Sequence, residues 1–246
     1  MKSAVTTETA AINDRAVDMY TELLARFVND EGLVDYDSLR EDPSLLKLFV
    51  QFISAVSPHS HPEQFPSDDH AKAYWINAYN ALTIWRVIRK VIQQSVRGYD
   101  FGLKFFVITK QVVGGKRLTL NEIENRILRQ EFKDPRIHFA INCASASCPL
   151  LSSRLFDGEH LEIQLETAAV RFINDTNNVS IDPIKKIVLV SRIFKWFARD
   201  FGGSTEKVIQ FIATYHPGLK ANLEQQDNTR WKLRYRKYNW SLNKQS

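Results

Sequence analysis

Cysteine is nearly absent, with two residues, Cys143 and Cys148, in 246. Two is too few for the disulfide framework of a small secreted scaffold, so the pair reads as local chemistry or packing. Long apolar runs are missing as well. No stretch of about 18 apolar residues occurs, so no membrane-spanning helix is expected, and Met1 to Ala11 lacks the apolar core of a signal peptide. A chain complete as given is therefore expected in the cytoplasm; one that has lost a leader is expected in the periplasm or outside the cell. Glycine is sparse and never forms a nucleotide-binding loop: Gly114-Gly115 and Gly202-Gly203 read as turns. No repeat, low-complexity tract or linker divides the sequence, so 14–246 is expected to form a single α+β domain, with 1–13, polar and aperiodic, disordered.

What is present suits a large core. The sequence is 44% apolar and carries fifteen Phe, eight Tyr and five Trp. The net charge of +5 sits in the tail: Arg230, Lys232, Arg234, Arg236, Lys237 and Lys244 leave 27 basic against 28 acidic residues elsewhere. A whole-chain argument for nucleic acid from pI is thereby weakened.

Helical spacing runs from about Asp14 (Val17, Tyr20, Leu24, Phe27, Val28) and again after Pro43. From His70 to about Gln94 apolar residues cover most of the circumference, which predicts a central helix buried on several sides. Leu103 to Leu118 reads as a hairpin, and Thr119 to Glu122 as a capping box opening a further helix. Arg136 to Asn142 alternates like a strand, with Ile137, Phe139 and Ile141 on one face, and leads into the small-residue loop Ala144 to Ser147. A helix (about 159–174), a hairpin (179–190), an aromatic segment (193–201) and a helix (204–215) follow. In the tail Trp231, Leu233 and Tyr235 alternate with Lys232, Arg234 and Arg236, as in an edge strand with its aromatic face inward. The expected architecture is a helical N-terminal half packed on a small, mainly antiparallel sheet, with a papain-like or transglutaminase-like arrangement as the fold-level analogy.

Several strings occur in a fixed order: Gly32-Leu-Val-Asp-Tyr36, Tyr74-Trp-Ile-Asn-Ala-Tyr-Asn-Ala81, Leu120-Asn-Glu-Ile-Glu124, Asp134-Pro-Arg-Ile-His-Phe-Ala-Ile-Asn-Cys143, Cys148-Pro149, Ile193-Phe-Lys-Trp196 with Asp200-Phe201, and Tyr238-Asn-Trp-Ser-Leu-Asn243. Together they resemble domain-of-unknown-function family 547, known from bacteria and plants, over about Tyr20 to Asn243. The resemblance implies no activity. The closing string departs from the family pattern, which has Asp before Trp-Ser-Leu-Asn where this chain has Asn239, so a role for a carboxylate there is in doubt.

Cys143, at a strand exit beside small residues, is the candidate nucleophile, since a thiol becomes reactive when a neighbouring cation lowers its pKa. The plain alternative is a buried small hydrophobe. His138 is the candidate base, against a buried histidine bonded to a structural carboxylate, and five residues of extended strand would set it about 16 Å from Cys143. Glu124, left unexplained by the capping box that absorbs Glu122, is the candidate orienting carboxylate, against a surface role paired to Arg126 or Arg129. Asn77 and Asn80, three apart on the central helix, must bind loop backbone, another side chain or a ligand, and read first as structural clamps, with a place in the pocket beside Cys143 as the alternative. Together with Ser145 and Ser147 they form the expected substrate-binding set, with loop N–H groups as oxyanion donors.

His138, Cys143 and Cys148 do not match common zinc spacing, and neither metal nor cofactor is expected. A reversible Cys143–Cys148 disulfide is a further option, given Cα atoms within about 7 Å. These residues suggest a cysteine-dependent acyl-transfer enzyme, a hydrolase or transferase acting on an amide or thioester of a small-molecule or peptide substrate. The alternatives are a non-catalytic peptide- or protein-binding module and nucleic-acid binding through the tail. No membrane partner is expected, and nucleic acid is disfavoured.

Overall fold

The computed structural model describes residues 2–98, 102–224 and 230–245, with side chains from Arg15 onward. Helices α1 (Lys2–Phe27), α2 (Tyr36–Glu41), α3 (Ser44–Ala55) and α4 (Asp68–Arg89) come first. In α1 the backbone is helical from Lys2; Tyr20, Leu23, Leu24 and Phe27 face the core and Val17 stays exposed. The central helix is α4. Ser67 caps it by accepting from the His70 N–H, Asp68 and Asp69 meet the positive end of the helix dipole, and every residue from Ala73 to Ile84 is buried.

The expected long hairpin after α4 is shorter than its apolar alternation suggests. Lys104–Ile108 forms a π-helical turn, and only β1 (Gln111–Val113) and β2 (Lys116–Leu118) pair, across Gly114 and Gly115, both at positive φ. The reason lies in α4. The buried Arg86 guanidinium gathers the carbonyls of Phe105 and Thr109 and the amide oxygen of Gln111, and one cation can collect carbonyls four residues apart only if the chain winds round it. The capping box forms as read, with Thr119 and Glu122 satisfying each other's backbone N–H. It opens helix α5 (120–131), whose middle, Ile123–Leu128, is π-helical.

Arg136 to Asn142 is not a strand. Asp134 accepts from the Arg136 N–H at 3.0 Å and pairs with its guanidinium at 2.9 Å, Pro135 fits the first helical position, and Pro135–Phe139 winds into a 3₁₀ turn. Its alternation has another cause. The buried apolar residues fall into two clusters, one built on α1, α3, α4 and α5, and one on the later elements. Ile137 and Ala140 enter the first and Phe139 the second, so His138 sits at the seam.

The second cluster joins α6 (Leu161–Asn174), the hairpin β3 (Val179–Asp182) and β4 (Ile187–Val190), α7 (Ile193–Trp196), α8 (Thr205–Tyr215) and α9 (Pro217–Glu224). The fold is α+β, but its larger sheet belongs with the C-terminal helices rather than under the N-terminal ones. β5 (Lys232–Tyr235) adds to β4 in parallel, with Val188 opposite Leu233, so the sheet is mixed. The tail strand thus exists, with two departures. Tyr235 is 36% exposed, and Arg236 is held inward by the Thr176 carbonyl and Ser180 Oγ instead of facing water. Beyond it the chain runs back over the first cluster, bridging Ser145 to Leu242, Ser95 to Ser241 and Val34 to Lys244.

Candidate functional site

At the seam lies a cavity of about 310 Å³, walled by Tyr79 of α4, Phe106 of the π turn, Glu124 of α5, His138, Cys143 and Cys148, Trp196 and Phe197 at the end of α7, and Tyr238 and Trp240 of the tail. Cys143 and Cys148 are joined in a disulfide, their Cα atoms 6.2 Å apart. Both residues retain some accessible surface. In this state Cys143 carries no thiolate.

The surroundings of the two sulfurs differ. Cys148 Sγ accepts from the Cys143 backbone N–H at 3.0 Å and from the Tyr238 hydroxyl at 3.2 Å. Cys143 Sγ has the Tyr238 hydroxyl alone, at 3.4 Å. A turn places that N–H: Ala144 stands at φ +61, fixed by its N–H to Asn142 Oδ1 at 2.7 Å, and bends the chain back on itself. The loop is also pinned without the sulfurs, by Cys148 N–H to the Ser145 carbonyl, Ala146 N–H to the Ser241 carbonyl, Ser147 N–H to the Asn239 carbonyl, and Asn142 Nδ2 to the Pro149 carbonyl.

Glu124 stands in the π-helical part of α5, where the widened turn carries it into the cavity wall. It accepts from the Tyr79 hydroxyl at 3.1 Å. Its carboxyl is desolvated in the cavity wall, and that raises its pKa to about 7, against the lowering effects of the Tyr79 hydrogen bond and the Arg129 charge. It is a carboxyl that exchanges its proton near neutrality. Desolvation, helped by the Glu124 charge, pushes the Tyr238 phenol well above its usual range, so its hydroxyl stays a proton donor.

The carboxylate bonded to His138 is Asp200, with Nε2 and Oδ2 2.7 Å apart. Arg129 grips the same carboxylate with two bonds, at 2.6 and 2.8 Å. Desolvation would raise the Asp200 pKa, but the bonds from His138 and Arg129 and their charges outweigh it and hold the carboxyl well below the usual range. Burial lowers the His138 pKa and Asp200 only partly opposes this, so the ring is neutral at pH 7. Bonding to an ionised carboxylate puts its proton on Nε2. Phe197 stacks on the ring, centroids 4.0 Å apart.

Asn77 and Asn80 both clamp loop backbone. Asn77 donates to the Phe156 carbonyl at 2.7 Å and accepts from its N–H at 3.1 Å; Asn80 does the same for the Ala140 carbonyl and the Asn142 N–H, at 3.0 and 2.8 Å. Neither lines the cavity. Asn80 therefore positions the stretch of chain leading to Cys143. Ser147 Oγ accepts from the Asn239 N–H at 2.8 Å, and Ser145 Oγ is buried with no hydrogen-bond partner among the described residues; neither lines the cavity.

The cavity thus brings together Cys143, His138 and Glu124, and leaves out the four residues expected to bind substrate. It adds Tyr79, Tyr238, Trp240 and, behind His138, the Asp200–Arg129 pair. All but Arg129 lie within the ordered strings read from the sequence, which were the available signal. Among the described residues no group of three His, Cys, Asp or Glu side chains is placed to hold a metal ion.

The model of the family described as "Protein of unknown function, DUF547" matches residues 63–173, a narrower span than the ordered strings. The match takes in α4, α5 and the cysteine loop. No curated protein and no solved structure matches the chain.

Proposed function

We propose, for a chain whose residues 63–173 match the DUF547 family model, that the function is thiol–disulfide exchange and that the Cys143–Cys148 pair is its reacting centre. One observation carries this reading. The disulfide forms part of a cavity wall, in the company of a carboxyl that titrates at about 7 and a tyrosine hydroxyl that reaches both sulfurs. A merely structural bridge needs neither. Closing a loop of this length stabilises by only about 2 kcal/mol, and four hydrogen bonds already hold this loop.

The unequal donors set the direction of attack. An incoming thiolate adds to Cys143 Sγ; the Sγ–Sγ bond breaks and its electron pair leaves on Cys148, where the Cys143 N–H and the Tyr238 hydroxyl stabilise the new thiolate. Glu124 is the cavity group that supplies the proton at neutral pH. A second thiolate then attacks the outer sulfur of the mixed disulfide on Cys143, releasing the substrate as a disulfide and Cys143 as a thiolate. Two substrate thiols lose two electrons, and one cystine becomes two cysteines.

Acyl transfer by Cys143 is the reading this competes with. It requires the reduced pair, with His138 as base and Asp200 rather than Glu124 as its orienting carboxylate. The two separate on one variant. Cys148→Ser abolishes the oxidation of two glutathione thiols to glutathione disulfide by the Cys143–Cys148 bridge if exchange is the function, as does Cys143→Ser, because neither variant can hold the bridge. Thioester or amide hydrolysis that survives Cys148→Ser and is lost in Cys143→Ser would replace the proposal with acyl transfer.

A further inference from the structure

The segment between α4 and α5 combines a basic excess with an exposed aliphatic surface. From Arg89 to Leu118 the sequence has seven basic residues and one acidic, a local excess that equals that of the tail. The same stretch concentrates exposed aliphatic side chains. Of the thirteen large hydrophobic residues exposed among the described residues, five lie here: Val91 at 59%, Leu103 at 52%, Val107 at 46%, Ile108 at 55% and Val112 at 43%.

Their placement is local and regular. Leu103 and Val107 are four apart where the chain winds through the π turn, with Ile108 next to Val107. Val112 pairs across the hairpin with Arg117, and Lys110, Lys116 and Arg117 are exposed around it. Val91 stands just past the end of α4 at φ +51, a conformation that strains a β-branched residue, and follows the exposed Lys90. Ile92, Val96, Phe105 and Val113 are the buried members of the segment, with Phe106 and Leu118 packed against the same cluster; the five exposed residues lie outside it. Glu122 is the acidic group that acts on Lys110, and it is already committed to Thr119 and Arg126. Asp100 lies outside the described residues.

We propose that this face docks on an anionic lipid surface, with Leu103, Val107 and Ile108 entering the headgroup region and Lys110, Lys116 and Arg117 among the basic residues that meet lipid phosphates. Aliphatic side chains ringed by Lys and Arg are the pattern that binds the boundary of a bilayer with negative headgroups. Nucleic acid would call for polar or stacking side chains at the centre of the patch, where this one has Leu, Val and Ile. The lack of a long apolar run excludes a spanning helix and says nothing against an interfacial contact, so this departs from the sequence expectation of no membrane partner. Phe106 of the same turn lines the cysteine cavity, and Arg97 lies over Trp240 on its wall, so the docked face borders the cavity.

Co-sedimentation of the full chain with vesicles of phosphatidylcholine plus phosphatidylserine, against phosphatidylcholine alone, tests the proposal. The chain is expected to bind the mixed vesicles and to be released by high salt. Leu103→Glu with Ile108→Glu should reduce binding at least about tenfold, and each neutralisation among Lys110→Gln, Lys116→Gln and Arg117→Gln about fivefold, with melting temperature unchanged. Should the double Glu variant misfold, Val107→Trp provides an independent reading: its fluorescence is expected to be quenched by brominated lipid. Any of four results overturns the proposal: no binding to the mixed vesicles, binding that survives the Glu pair in a folded protein, no quenching of the Val107→Trp variant, or binding to DNA or RNA in place of vesicles.

Discussion

Replacing Glu124 by Gln removes a carboxyl that the cavity keeps protonated while leaving an acceptor for the Tyr79 hydroxyl. Its folded pKa of about 7 stands above the ordinary value of 4.5. An unfolded chain therefore ionises this group near 4.5, whereas the folded chain resists until about 7. The stability it contributes is complete below the lower value, declines between the two, and the full penalty is present above the upper one. With 1.36 kcal/mol per unit the penalty reaches about 3 kcal/mol above pH 7, of which about 2.5 kcal/mol develops between pH 5 and pH 8. That is an upper limit, because an ionised Glu124 draws water through the cavity. Denaturant titrations of parent and Glu124→Gln at several pH values should show the variant gaining on the parent as pH rises, by roughly 5–10 °C in melting temperature across that range if followed thermally. Tyr79→Phe, which deletes a bond to the carboxylate, should move the parent's transition upward in pH. A Glu124→Gln advantage of equal size at pH 5 and pH 8 would refute the argument that the cavity holds Glu124 protonated.

Asp200→Asn should destabilise at pH 7 by on the order of 2 kcal/mol, because the Arg129 guanidinium and the His138 N–H lose a charged partner; since the folded Asp200 pKa is lowered, the parent's advantage should fade as pH falls below about 4. Ala78→Asp places a carboxylate at a fully buried position in α4 and should prevent folding, as read by circular dichroism. Truncation before Arg230 removes β5, Tyr238 and Asn243, which accepts from the Tyr36 hydroxyl, and should lower the melting temperature by well over roughly 10 °C; Arg234→Glu, at an exposed position, should leave it within a degree or two.

Where an element's reasons are local, the sequence was readable. α4 follows from apolar residues all round and a Ser-Asp-Asp start, the capping box from Thr119 and Glu122, and the β3–β4 hairpin from its alternation. The misread elements answer to distant partners. Phe105 to Ile108 has strand composition but winds because Arg86, nineteen residues before Phe105, gathers its carbonyls. Arg136 to Asn142 alternates because two separate cores claim opposite sides of a 3₁₀ turn, a pattern that period-two reasoning cannot distinguish from a sheet. The separation of about 16 Å between His138 and Cys143 belongs to a strand that the chain does not form.

The candidate site was legible as a set of residues and not as a set of pairs. Cys143, His138 and Glu124 share a cavity wall, but the partner of His138 is 62 residues away and the hydroxyl that reaches both sulfurs is 95 residues from Cys143. Asn77 and Asn80 show the opposite failing. Their burial was evident from the helix, and the need for partners followed, but loop backbone and ligand satisfy an amide equally well until the loop's position is known.

Equilibration of the Cys143–Cys148 pair with glutathione redox buffers at pH 7, followed by alkylation and mass measurement, shows whether the bridge exchanges with thiols. A reversible two-electron transition is expected between about −270 and −120 mV, the range of exchange-active disulfides, with the transient glutathione adduct on Cys143. A pair that stays oxidised in every buffer, with a potential below about −300 mV, would be a structural staple and would contradict the proposed exchange.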